Sequence, residues 1–161
     1  MFGHGRILVY SASVTRQLVA DDVIAVVNTV PNLMFLILQL YLHQYGNDQL
    51  NEPNAIEVLR LTGGQGGGQV MTVKNYETGD PVASLGLNGI DADDWSTPPT
   101  PSTVMGGARP FNLSSGWRWA FAGTSPIVIT NNNKVGFRIV DTISAVASFN
   151  YGVVVQQIDV G

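Results

Sequence analysis

The chain has 161 residues, 45% of them apolar and only 12% charged, with a formal net charge of −4 and no cysteine. That length suits one domain, residues 1–161, with a real core, and a charged share well under the usual ~25% reads as a turn-rich all-β protein. The eight Lys and Arg residues are scattered, which excludes nucleic acid as the main partner; without cysteine, disulfides, thiolate metal sites and thiol nucleophiles are excluded as well.

Residues 1–5 read as an N-terminal arm. "RILVYSAS", Arg6 to Ser13, opens the fold as a strand. "VIAVVNTV", Val23 to Val30, is a second, ended by Pro31. Leu33 to Tyr45 fits either a helix or a strand, and strand is preferred. Met34, Leu36, Leu38, Leu40 and Leu42 would then form one continuous apolar face, while the face starting with Leu33, Phe35 and Ile37 turns polar at Gln39 and His43. Its apolar part, Leu33 to Leu42, is too short to cross a bilayer, which takes roughly 20 residues. "MFGHGR" is no basic leader. The expectation is a soluble, non-secreted protein without a membrane partner.

"AIEVLRLT", Ala55 to Thr62, is a further strand, followed by a flexible glycine loop at 63–69 and an extended piece around "VMTVK". The segment 75–107 is long and irregular, with four of the eight prolines. "GWRWAFAG" puts Trp117, Trp119 and Phe121 on one strand face, best explained by core packing. "PIVIT" and "VGFRIVD" flank Asn131 to Lys134, which predicts a hairpin. In the last strand, "SFNYGVVVQQI", Phe149, Tyr151, Val153 and Val155 share a face. The sum is a jelly-roll-like antiparallel β-sandwich of about eight strands with long loops.

Few residues carry chemistry. The glycine run follows a strand, as phosphate loops do. Gly68, however, is followed by Gln69 and Val70, where a Walker loop needs Lys and Ser or Thr, and a dinucleotide fingerprint fails at Met71. The run is read as an inter-strand loop. Neither His4 nor His43 belongs to a nucleophile motif of the G-x-S-x-G kind, so no catalytic residue, cofactor or metal is expected. Asp91 to Asp94 holds three carboxylates but lacks EF-hand spacing, and reads as a solvated loop. Trp95, beside Asp94, is the better surface aromatic and a candidate interface anchor; with the aspartates it also keeps open an alternative, a glycan- or receptor-binding β-sandwich of a tail fibre or carbohydrate-binding module.

From Ala55 onward, an ordered set of segments resembles a known family. "IEVLRLTGG" runs into "GQGGGQVMTVKNYETGDPVAS"; next comes "FNLSSGWRWAFAGTSPIVITNNNKVGFRIVD", and "SFNYGVVVQQI" closes the chain. This order of strands and loops is similar to that of the capsid decoration (cement) proteins of tailed bacteriophages. The N-terminal part departs from the pattern by being more apolar. The resemblance implies a virion structural protein without catalytic residues, assembled in the host cytoplasm. Such a protein binds the major capsid protein on the outer capsid surface, bridges its subunits and often forms a homotrimer. It implies contact residues in the N-terminal arm, the glycine loop and the 75–107 segment: Gly66, Gly67, Gly68, Tyr76, Pro81 and Trp95.

Overall fold

The computed structural model describes residues 6–47, 49–75, 87–90, 94–120 and 127–159. The expected arm 1–5, Tyr76, Pro81, Phe121 and most of the aspartate cluster lie outside them.

Eight positions of a sandwich are filled in mirrored order. The first four strands are β1 (Arg6–Arg16), β2 (Val23–Asn28), β3 (Leu33–Tyr45) and β4 (Pro53–Thr62). The last set is β10 (Thr100–Asn112), β11 (Trp117–Ala120), β12 (Ile127–Ile129), β13 (Lys134–Ile139) and β14 (Ala147–Asp159). All pairings are antiparallel: β1 with β14, β2 with β13, β3 with both β11 and β12, and β4 with β10. The first half of the chain thus pairs with the second half in reverse. Rolling that long ribbon over itself gives two six-stranded sheets with jelly-roll connectivity. β14 stands between β1 and β3 in one sheet, and β13 between β2 and β4 in the other.

The segment between β4 and β10 adds five short strands: β5 (Gln65–Gly66), β6 (Gln69–Val70), β7 (Thr72–Asn75), β8 (Leu87–Ile90) and β9 (Trp95–Thr97). This corrects the sequence reading. Where described, the 75–107 stretch is largely strand, including the first part of the thirteen-residue β10, and the strand number exceeds eight for this reason. β6 and β8 extend the β13 sheet, whereas β7 pairs with β1 on the β14 sheet. The chain crosses between the layers at Met71, which is fully buried and donates its N–H to Leu87 O at 3.2 Å. One flank of the sandwich is closed in this way.

Alternation places the core. Leu8 and Tyr10 of β1 and Phe149, Tyr151, Val153 and Val155 of β14 face Ile24, Val26, Ile56, Val58 and Phe137 of the opposite sheet. Phe137 meets Tyr151 edge-on at 6.2 Å and Trp117 at 6.0 Å. β3 is a strand, as preferred, but its apolar face is not continuous. Val154 pairs with Gln39 and Val155 with Ile37, so Leu38 is an extra residue in a β-bulge. The bulge switches parity: Leu33, Phe35 and Ile37 are buried before it, Leu40 and Leu42 after it. The Asn131–Lys134 turn exists, with Asn132 at φ 62°, yet it joins no hairpin. β12 pairs with β3 and β13 with β2 and β4, so the turn carries the chain from one sheet to the other. Turn chemistry fixed the reversal but could not choose the partner strand.

Asn28 ties that end together. It is wholly buried, and its Nδ2 donates to Leu33 O at 2.8 Å and Ile129 O at 3.2 Å, while Oδ1 accepts from Val30 N at 2.9 Å. Replacing it by Ala removes the side-chain partner of three backbone groups at once. Asn28→Ala is expected to destabilise the fold by about 2–4 kcal/mol, read as a lower urea midpoint at unchanged slope.

Candidate functional site

The glycine run is no loose loop. β5 pairs with β9 as a small two-stranded flap, and β6 pairs with β8. Beneath the flap, on the outer face of the β13 sheet, Val23, Ala25, Leu59 and Leu61 form a second apolar cluster, with Trp95 packed on it. The Trp95 indole N–H donates to Val23 O at 3.0 Å. Trp95, half-buried, is therefore a lid on this cluster with its polar tip already engaged. A Cβ on Gly66 would lie 2.6 Å from Asp94 O, and one on Gly68 2.7 Å from Gly89 O. Gly67, between them, has open space around it. Of the candidate contact residues, Gly66, Gly68 and Trp95 are thus brought together, but for packing against their own chain. The structure supplies the surface on which this stretch lies: the protein's own sheet edges.

The other face of the sandwich carries a depression of about 430 Å³ in the outer surface of the β14 sheet. Register builds it. Arg118, Tyr41, Gly152, Ser11 and Thr72 stand in one row across β11, β3, β14, β1 and β7. Gly152 leaves the middle of that row without a side chain. The Tyr41 ring leans over the gap: a Cβ on Gly152 would meet the Tyr41 hydroxyl at 2.5 Å. Tyr41 hydrogen-bonds Ser11 across the central strand, and its ring stacks on His43, 5.3 Å between centroids at 16°. In the neighbouring rows Asn150 pairs with His43, and Gln39 and Lys74 align through Val154 and Val9. Burial pushes the Tyr41 hydroxyl above the ordinary tyrosine value, opposed by the Ser11 hydrogen bond and the Arg118 charge. None of the described lining residues carries a carboxylate.

Sequence reasoning placed His43, Tyr41 and Gln39 on one face but could not see this trough, because its other members come from four further strands. His43 sits there as a stacked ring near the end of a long strand. Trp117 enters the core, as expected. Trp119 is only half-buried, with the Arg109 guanidinium 4.0 Å above its ring. Among the described residues no group of three His, Asp or Glu side chains is placed to hold a metal ion, and no helix is long and apolar enough to cross a membrane.

No known protein-family model matches the chain. No curated protein matches it significantly either.

Two outcomes follow from this geometry. Gly66→Ala is expected to push β5 off β9 and expose Trp95, seen as a red-shifted tryptophan emission, whereas Gly67→Ala is tolerated. Burial also lifts the Tyr10 hydroxyl from 10.0 to about 12. The folded state therefore keeps a proton that the unfolded chain gives up first. Stability from this group is full below pH 10 and is lost as pH rises through 12. The urea midpoint should fall over that window, and less steeply in Tyr10→Phe.

Proposed function

We propose that this protein is a virion structural protein, a jelly-roll module that binds the outer surface of a tailed-phage capsid and bridges its subunits, acting as a homotrimer. Bridging is mechanical and asks for two separate contact regions and no reacting group. The observation that carries the reading is an exposed apolar set at one end of the sandwich, opposite the end where the glycine flap is inserted. Val146 is 63% exposed, Val19 45% and Tyr45 43%. Register brings them to one place: Arg16 pairs with Ala147, and Tyr45 with Ser148, at the start of β14. The loops there are pinned by Ser144 on Glu52 (2.6 Å) and by Gln17 on Ile143 O (2.7 Å). Aliphatic groups are thus presented to solvent on a fixed frame, a property of contact surfaces.

The strand and loop order from Ala55 onward supports the same reading, since it resembles that of decoration proteins. A trimer formed through a repeated head-to-tail contact would close as a ring and offer the same end to three neighbouring capsid subunits. The major capsid protein is the partner in this reading, and the capsid surface its location.

The test is direct. Light scattering should give a trimer, and the purified protein should co-sediment with phage heads. The double variant Val19→Asp/Val146→Asp should keep its thermal midpoint within about 2 °C, as exposed substitutions do, yet lose co-sedimentation at least tenfold. A strict monomer that is absent from particles would end this reading.

A further inference from the structure

We infer that the trough on the outer face of the β14 sheet is a binding site for an acidic oligosaccharide. It lies on a broad face of the sandwich, away from the apolar end to which contact is assigned above, so the inference stands apart from that structural role.

The first argument is charge. The protein has 12 acidic and 8 basic residues, yet the described lining of this trough holds Lys74 and Arg118 and no carboxylate. Of the other bases, Arg16 is engaged by Asp22 at 2.8 Å, Arg138 by Glu57 at 2.7 Å and Arg109 by the Trp119 ring, while Arg60 and Lys134 line a smaller depression of about 190 Å³ elsewhere. Lys74 and Arg118 make no ion pair with a described residue, and both are exposed. An acidic protein that keeps two cations and no acid around one depression favours an anionic ligand there.

The second argument is spacing. Lys74 is on β7 and Arg118 on β11, at opposite edges of the sheet. Four strand spacings separate them, roughly 19 Å at ~4.8 Å each. A phosphate or sulfate is recognised by donors converging on one point; these cations flank a floor instead. The floor is uncharged and offers both donors and acceptors: the Ser11 and Tyr41 hydroxyls and the Gln39 and Asn150 amides. Hydroxyl-rich units with a carboxylate toward each end match that pattern. A peptide strand fits less well, because added strands pair with free edges, whereas β1, β14 and β3 are already paired on both sides. The shape is built in. Gly152 cannot take even a methyl group without meeting Tyr10 O, so the depression is fixed by the backbone of the sheet.

The probe is α-1,4-linked trigalacturonate, titrated into the full-length protein at low salt by calorimetry, with the His43 and Tyr41 ring signals followed by NMR. Its methyl ester, inorganic phosphate and a glutamate-rich peptide are the comparison ligands, and sialyllactose is a second acidic saccharide. Trigalacturonate is expected to bind and to shift the His43 and Tyr41 signals, with the ester about tenfold weaker or silent and sialyllactose, whose single carboxylate meets only one of the two cations, severalfold weaker. Arg118→Gln and Lys74→Gln should each weaken binding severalfold at unchanged thermal midpoint. Asn150→Ala should weaken it too, which simple ion exchange would not produce. Failure of both acidic saccharides to bind overturns the inference. So does affinity unchanged in Arg118→Gln and Lys74→Gln, or peptide or phosphate binding as well as the saccharides. Loss of capsid co-sedimentation would not bear on it, since the two readings use different surfaces.

Discussion

The last two strands are the constraint on which the rest depends. Among the described residues, β14 alone bridges β1 and β3, and β13 alone bridges β2 and β4. Until residues 134–159 are in place, neither sheet has a centre, and the apolar faces of the first four strands have nothing to close on. Among the principal strands, every pairing except β4 with β10 spans roughly half the chain or more. Loop-closure entropy must be met before such contacts contribute. The two central strands also hold the layers together directly, through Phe137 of β13 against Tyr151 of β14.

Each of these strands carries a glycine on its outward face, with opposite consequences. On β13, a Cβ at Gly136 would meet Ile24 O and the Leu61 side chain at 2.8 Å. Its absence lets Leu61 and Val23 close over the strand, and that floor seats Trp95 and the glycine flap. On β14, the gap at Gly152 is crossed only by the Tyr41 ring, and the surface stays open. One sheet therefore acquires a third layer and the other a trough. The difference lies in the neighbours: leucine and valine flank Gly136, whereas Ser11, Tyr41 and Asn150 surround Gly152.

The sequence made the strands legible because alternation is a local signal. β1, β4 and β14 show their main-core faces in residue order, and Val135, Phe137 and Ile139 do so in β13, whereas β2 is a continuous apolar run buried on both faces. What escaped was set by partners. A bulge at Leu38 exists only relative to β14, so the parity switch within Leu33–Tyr45 could not be read from the strand alone. The turn at Asn132 announces reversal, but which sheet receives β13 is decided by β2 and β4. Trp95 beside aspartate looks exposed until Val23 O is brought under its indole. Gln69 and Val70 argue against phosphate chemistry in the glycine run, but its packing role needed Asp94 and Gly89 opposite it. The trough is the extreme case: its members come from five strands, and only the Gln39–Tyr41–His43 alternation hints at a shared face.

The placement of these features has a mechanical logic. Apolar residues at one end sit on loops tied by Ser144–Glu52 and Gln17–Ile143, and the inserted segment is stitched to both sheets by β6, β7 and β8. Force applied along the strands from end to end would load the backbone ladders in shear, many hydrogen bonds at once, instead of peeling them singly. A module that spans neighbouring subunits gains stiffness from that orientation. In the proposed role, the broad face of the β14 sheet would run parallel to such a load and take no part in contact at the apolar end. A polar trough can therefore be kept there without weakening the apolar contacts, and its floor, fixed by fully paired central strands, is held in shape by the same ladders.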